Sequence, residues 1–109
     1  MPPAEKVNPQ KWSDLTVLFD NGEYSIVSGK YEGRHTLGMR WNGSEDPDED
    51  VGFPNQGGNP TWHVVPDLLE RRILMGALDE IAEKVTGGGS VDEEAANRMQ
   101  KITDELSKR

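Results

Sequence analysis

The sequence predicts an α+β fold: an antiparallel sheet of about four strands covered by one helix, plus a C-terminal helix used for assembly. Three observations predict it. Apolar residues alternate in the first part of the chain, between turns marked by Asn21-Gly22 and Glu32-Gly33. A broad stripe of helical period follows Pro66. Three consecutive glycines, Gly87 to Gly89, then separate a second, narrower helical pattern.

Residues 1–11 are polar and contain proline, which reads as a flexible N-terminal arm. The α+β domain spans 12–86. Leu15, Val17 and Phe19 alternate with Thr16 and Leu18 as in a strand. Asn21-Gly22 then predicts a type I′ hairpin turn, which needs positive φ twice. A second strand runs from Tyr24 to Tyr31, with Tyr24 and Ile26 on one face and Ser25 and Val27 on the other. Gly29 marks an expected bulge in it. Glu32-Gly33-Arg34 makes another tight turn. The third strand, His35 to Trp41, places Leu37, Met39 and Trp41 on one face and Thr36, Gly38 and Arg40 on the other. Together these make a meander.

Ser44 to Asp50 is acidic. Asp46, Asp48 and Asp50 alternate as at the start of a calcium loop, but the glycine comes one place late and position twelve is Gly57 rather than Glu. The segment reads as a solvated charge run. Thr61 to Val65 is a fourth strand. Asp67 with Glu70 has capping-box spacing at the head of a helix that reaches about Val85. Its stripe is Leu69, Ile73, Leu74, Ala77, Leu78, Ile81 and Val85. Residues 87–90 form a glycine hinge, Ser90 and Glu93 a second capping box, and 91–109 the C-terminal helix. Ala95, Met99, Ile102 and Leu106 recur on it at seam spacing. This short helix is marginal alone. A homodimer, or a higher even-numbered oligomer, is therefore expected to cover it.

The 109 residues suit a single domain. A formal net charge of −8 argues against polymeric nucleic acid, whose binding needs a basic footprint. The chain has no cysteine, so disulfides and thiolate metal sites are excluded. Its opening lacks the apolar run of a signal peptide, and no stretch approaches a membrane span. The expected setting is cytoplasmic, with no membrane partner and no cofactor.

One stretch concentrates the candidate chemistry. Gly52 to Pro66 holds three of the seven prolines and three of the twelve glycines. Pro54 and Pro60 restrict Phe53 and Asn59 to extended geometry, while Gly57-Gly58 permits positive φ and close approach. Trp41, Phe53 and Trp62 offer stacking faces for a base, and Arg40 offers a planar fork for phosphate. Asn55, Gln56 and Asn59 supply donors and acceptors, and Gly57 and Gly58 supply backbone N–H groups. These nine residues are the candidate site for a small polar or nucleotide-like ligand. Each has a structural alternative: the tryptophans as core, Asn42-Gly43 as a turn, the amides as loop ties. Strand geometry also sets Arg40 and Trp41 on opposite faces. His35 and His63 lack metal-ligand spacing, and the serines lack a nucleophile-elbow context.

The run Arg40-Trp41-Asn42-Gly43, a short variable loop, and Gly52 to Pro66 leading into a helix resembles short, uncharacterised bacterial proteins of the mobile gene pool. These occur in integron gene cassettes and phages. The resemblance covers about residues 15–85 and implies a small α+β accessory protein, with no activity attached. A looser similarity is to phage Thoeris anti-defence sponge proteins, which sequester cyclic ADP-ribose-type signals at a subunit interface. No site residue is carried over from them. The leading expectation is thus a non-enzymatic accessory protein that binds a small ligand near Gly52–Pro60. Competing expectations are a protein-binding adaptor using the C-terminal helix and acidic loop, and a small hydrolase.

Overall fold

The computed structural model describes residues 11–43, 52–56, 59–86 and 93–108. The chain divides into two compact units, Met1–Pro66 and Asp67–Arg109. The first holds β1 (Trp12–Asp20), β2 (Tyr24–Tyr31), β3 (Arg34–Trp41), β4 (Asn55–Gln56), β5 (Asn59–Pro60) and β6 (His63–Val64). The second holds α1 (Asp67–Thr86) and α2 (Glu93–Ser107). The fold is α+β, as the two periodicities require.

The main sheet has the order β1-β2-β3-β6 and is antiparallel throughout. β2 and β3 pair without a break from Tyr24 opposite Trp41 to Tyr31 opposite Arg34. The Glu32-Gly33 connection has φ of 50° and 84°, the pair of positive values that a two-residue hairpin turn needs. The expected type I′ turn at Asn21-Gly22 is not formed, because only Gly22 has positive φ. Three residues, Asn21 to Glu23, join the strands instead. The Asn21 Oδ1 accepts from Glu23 N and Tyr24 N at 2.9 and 2.7 Å, and Asp20 Oδ1 accepts from Gly22 N at 2.9 Å. These side-chain acceptors add to the backbone bond that Asn21 N donates to Tyr24 O at 3.1 Å.

The expected bulge at Gly29 lies across from it, in β1. Register shifts separate Ser13 from Thr16 and Val17 from Phe19, and Asp14 takes φ 53°. Gly29 is needed there because Leu15 fills the place of a side chain: a Cβ on Gly29 would lie 2.7 Å from Leu15 Cδ2 and 3.0 Å from Ser13 O.

Register sorts the sheet into two faces. One carries Trp12, Val17, Val27, Gly38 and Arg40, and Trp62 packs there with Trp12 and Val27 as a buried cluster. Gly38 is the floor of this cluster, since a Cβ on it would meet Trp12, Trp62 and Val27 within 3.1 Å. Tyr31 closes its edge, its ring centroid 5.2 Å from that of Trp12. The other face carries Phe19, Ile26, Leu37, Met39 and Trp41, of which Phe19, Ile26 and Leu37 are buried.

In the second unit, α1 and α2 pack against each other. Arg71, near the start of α1, donates from Nη1 to the carbonyl of Leu106 near the end of α2 at 3.2 Å, so the helices run antiparallel. Asp67 and Glu70 in the first turn of α1 and Lys84 in its last complement the helix dipole. Leu74, Ala77 and Ile102 are buried. The α2 stripe was expected to await a second subunit. Ile102 is instead wholly buried within the single chain, with Ala95, Met99 and Leu106 half-buried. The expected N-terminal arm through residue 10, the acidic segment from Ser44, the hinge at 87–90 and the Ser90 cap lie outside the described residues. Among the described residues, no helix is long and apolar enough to cross a membrane.

Candidate functional site

The expected site residues are close in sequence, but the sheet separates them. β3 continues past its pairing with β6 to meet Phe53. Trp41 N donates to Phe53 O at 2.8 Å and Phe53 N to Trp41 O at 2.9 Å. The chain then makes a small hairpin of β4 and β5, in which Asn55 pairs with Pro60 and Gln56 with Asn59. Thr61 N closes its neck on Pro54 O at 3.2 Å. The side chains of Asn55, Gln56 and Asn59, and Gly57 and Gly58 altogether, lie outside the described residues, as does the expected positive φ at those glycines.

Arg40, offered by the sequence as a fork for phosphate, lies inside the first unit as a strut. It is 2% exposed. Its guanidinium carbon lies 5.9 Å from the centroid of the buried Trp62 ring, and Nη1 donates to Thr61 O at 3.4 Å. Burial pushes the guanidinium pKa below its ordinary value, yet arginine retains its charge in proteins. Trp62 likewise belongs to the core, which removes it as a stacking face.

Gly52 makes this packing possible. Its φ is +83°, and a Cβ there would collide with Trp41 O, Arg40 Nη2 and the carbonyl carbon of Asn42. The chain therefore re-enters the sheet against the guanidinium with no side chain in between.

Asn42 is the residue that sequence reasoning missed. It was read as half of a turn, and it is buried. Ser25 donates from Oγ to Asn42 Oδ1 at 2.6 Å, and Asn42 Nδ2 donates to Asp20 Oδ1 at 3.1 Å. Its backbone N donates to Glu23 O at 2.7 Å. One amide thus ties the end of β3 to both sides of the first hairpin. The available signal was Ser25, a polar residue on the same sheet face as Val27.

Trp41 and Phe53 stand apart from these residues. Tyr24 pairs with Trp41 across β2 and β3, and Trp41 pairs with Phe53 across the bridge. Paired residues point to the same side. Tyr24, Trp41 and Phe53 therefore form a row across three adjacent chain segments at one end of the sheet. They are 47%, 41% and 63% exposed. Glu23, exposed, flanks Tyr24.

Elsewhere, Glu93, Glu94, Asn97, Arg98 and Lys101 line a shallow depression of about 430 Å³ on α2, polar and of mixed charge. His35 and His63 are exposed. Among the described residues, no three His, Asp or Glu side chains are grouped to hold a metal ion. Comparison with known proteins gave no matching family model, no matching curated protein and no matching solved structure.

Proposed function

We propose that this chain is a non-enzymatic binding module that takes a protein partner on the aromatic row Tyr24, Trp41 and Phe53. The observation that carries the reading is the row itself: three large aromatic side chains in register, each more than two-fifths exposed. Tyr and Trp are enriched where protein interfaces concentrate their energy. A small ligand is usually buried in a concavity, and a row laid across paired strands offers a flat face. The charge indicates the partner's chemistry. The chain carries −8 overall, and five carboxylates lie in sequence between Gly43 and Gly52. A partner with an apolar or aromatic anchor ringed by Lys and Arg complements this. In the setting that the resemblance implies, such a module is an accessory protein acting through a partner. The nucleotide-like ligand becomes the alternative. Trp41 and Phe53 offer it stacking faces, but Arg40 offers its phosphate no exposed surface.

A peptide-display selection on the purified chain, counter-selected with Trp41→Ala/Phe53→Ala, tests this. The selected peptides should carry an aromatic or aliphatic anchor beside basic residues. They should lose binding to the double variant while its circular dichroism is unchanged. Peptides that bind both proteins equally refute the reading. So does calorimetric binding of a nucleotide that the double variant abolishes.

A further inference from the structure

We propose that the outward face of α1 docks a second copy of this chain, the two helices crossing antiparallel at Met75 and Gly76. The inference uses no part of the aromatic row. Leu68, Arg72, Met75, Gly76 and Asp79 follow one another at helical spacings of four, three, one and three, so they share a face. All are exposed, Leu68 at 80% and Met75 at 52%. Glu70, Leu74 and Ala77, which are buried, occupy the opposite side. An apolar pair thus stands on the solvent side of a helix whose other side is already packed.

Among the described residues, nothing in the single chain requires a glycine at position 76. Its φ is not positive, and a Cβ built on it would meet no atom of the described residues within 4 Å. Glycine inside a helix costs about 0.5–1 kcal/mol relative to alanine. A bare position beside Met75 does have a use where another helix crosses, because the distance between axes depends on the side chains at the contact.

The charges fix the direction. Arg72 and Asp79 lie equally far from the midpoint between Met75 and Gly76, roughly 5 Å along the axis on either side. In an antiparallel pair with its two-fold axis at that midpoint, Met75 of each copy faces Gly76 of the other. Arg72 of each copy then faces Asp79 of the other, so two ion pairs form. A parallel pair sets Arg72 against Arg72 and Asp79 against Asp79. Among the described residues neither side chain has an ion-pair partner in its own chain. The charges of this surface are self-complementary in the antiparallel two-fold arrangement and not in the parallel one. Leu68 falls opposite Glu83 at the ends of the contact. Such a contact is small, so the dimer is weak and depends on concentration.

Analytical ultracentrifugation of the full chain at rising concentration, with Arg72→Asp, Asp79→Arg and the double reversal Arg72→Asp/Asp79→Arg, tests the proposal. The substituted positions are exposed, and circular dichroism checks that each variant is folded. The wild type should dimerise. Each single reversal should weaken the dimer by about tenfold or more. The double reversal should regain most of the loss. Gly76→Leu should keep its helix content and weaken the dimer as well. A wild type that is monomeric throughout, or single reversals that dimerise like the wild type, overturns the proposal. A double reversal that stays as weak as its parents, or a Gly76→Leu variant that dimerises unchanged, does so too.

Discussion

The guanidinium of Arg40 lies over the ring of Trp62, 5.9 Å from its centroid, with both side chains buried. A charged side chain occupies the core with its guanidinium over the face of an indole and its Nη1 reaching a backbone carbonyl, that of Thr61. This joins β3 to the chain just before β6.

Arg40→Ala should therefore act on folding. It removes the cation–π contact, opens a void and deprives Thr61 O of a donor. The expected loss is about 2–4 kcal/mol of unfolding free energy, read from urea denaturation. Arg40→Lys should recover little, since an ammonium lacks the planar fork. A variant as stable as the wild type would show that the contact with Trp62 contributes nothing.

Gly52 and Gly22 separate conformation from collision. Both have positive φ, +83° and +91°. Among the described residues a Cβ on Gly22 meets nothing within 4 Å, whereas one on Gly52 strikes Trp41 O and Arg40 Nη2. Gly22→Ala should cost only the left-handed penalty, about 1–2 kcal/mol. Gly52→Ala should cost clearly more in thermal denaturation, because the backbone of Trp41 and Asn42 must also move. Equal losses would mean that the close approach is not needed.

The Ser25–Asn42 hydrogen bond calls for a double-mutant cycle. Both side chains are buried and they share a 2.6 Å contact. Asn42→Ala also releases Asp20 Oδ1, so it should be the more damaging single change, by about 2–3 kcal/mol against about 1 for Ser25→Ala. Their coupling should lie within about 0.5–3 kcal/mol. Additive losses would show the network to be energetically idle.

Strand positions were legible where one rule sufficed. Alternation from Tyr24 to Trp41 gave β2, β3 and their faces, and so the separation of Arg40 from Trp41. The pattern did not say that both faces bury side chains, because Val27 and Leu37 look alike in sequence and lie on opposite faces. In the sequence Arg40 reads as a planar fork for phosphate. Its burial depends on Trp62 and Gly52, which no local rule connects to it. Asn42-Gly43 has turn chemistry, and only the long-range partner Ser25 makes it core. The aromatic row was half legible: Trp41 and Phe53 were singled out, but Tyr24 needed the register. The outward face of α1 is not legible from periodicity, because the helical stripe marks the buried side.

Ile102 decides what the α2 stripe is for. Seam spacing alone gave a reason to expect that aspartates at Ile102 and Leu106 would release a folded monomer. That outcome requires the stripe to be open in one chain, and Ile102 has no exposed surface there. Removing its side chain leaves a void in the chain's own core, which costs about 2–5 kcal/mol. Ile102→Ala should accordingly lower stability by that amount at every protein concentration, whereas Met99→Ala, at a half-buried position, should cost less. Chemical denaturation at two protein concentrations makes the distinction. If the loss from Ile102→Ala appears only where the wild type is oligomeric, the stripe serves a second subunit after all. A loss independent of concentration assigns the stripe to the chain's own core and leaves the outward face of α1 for assembly.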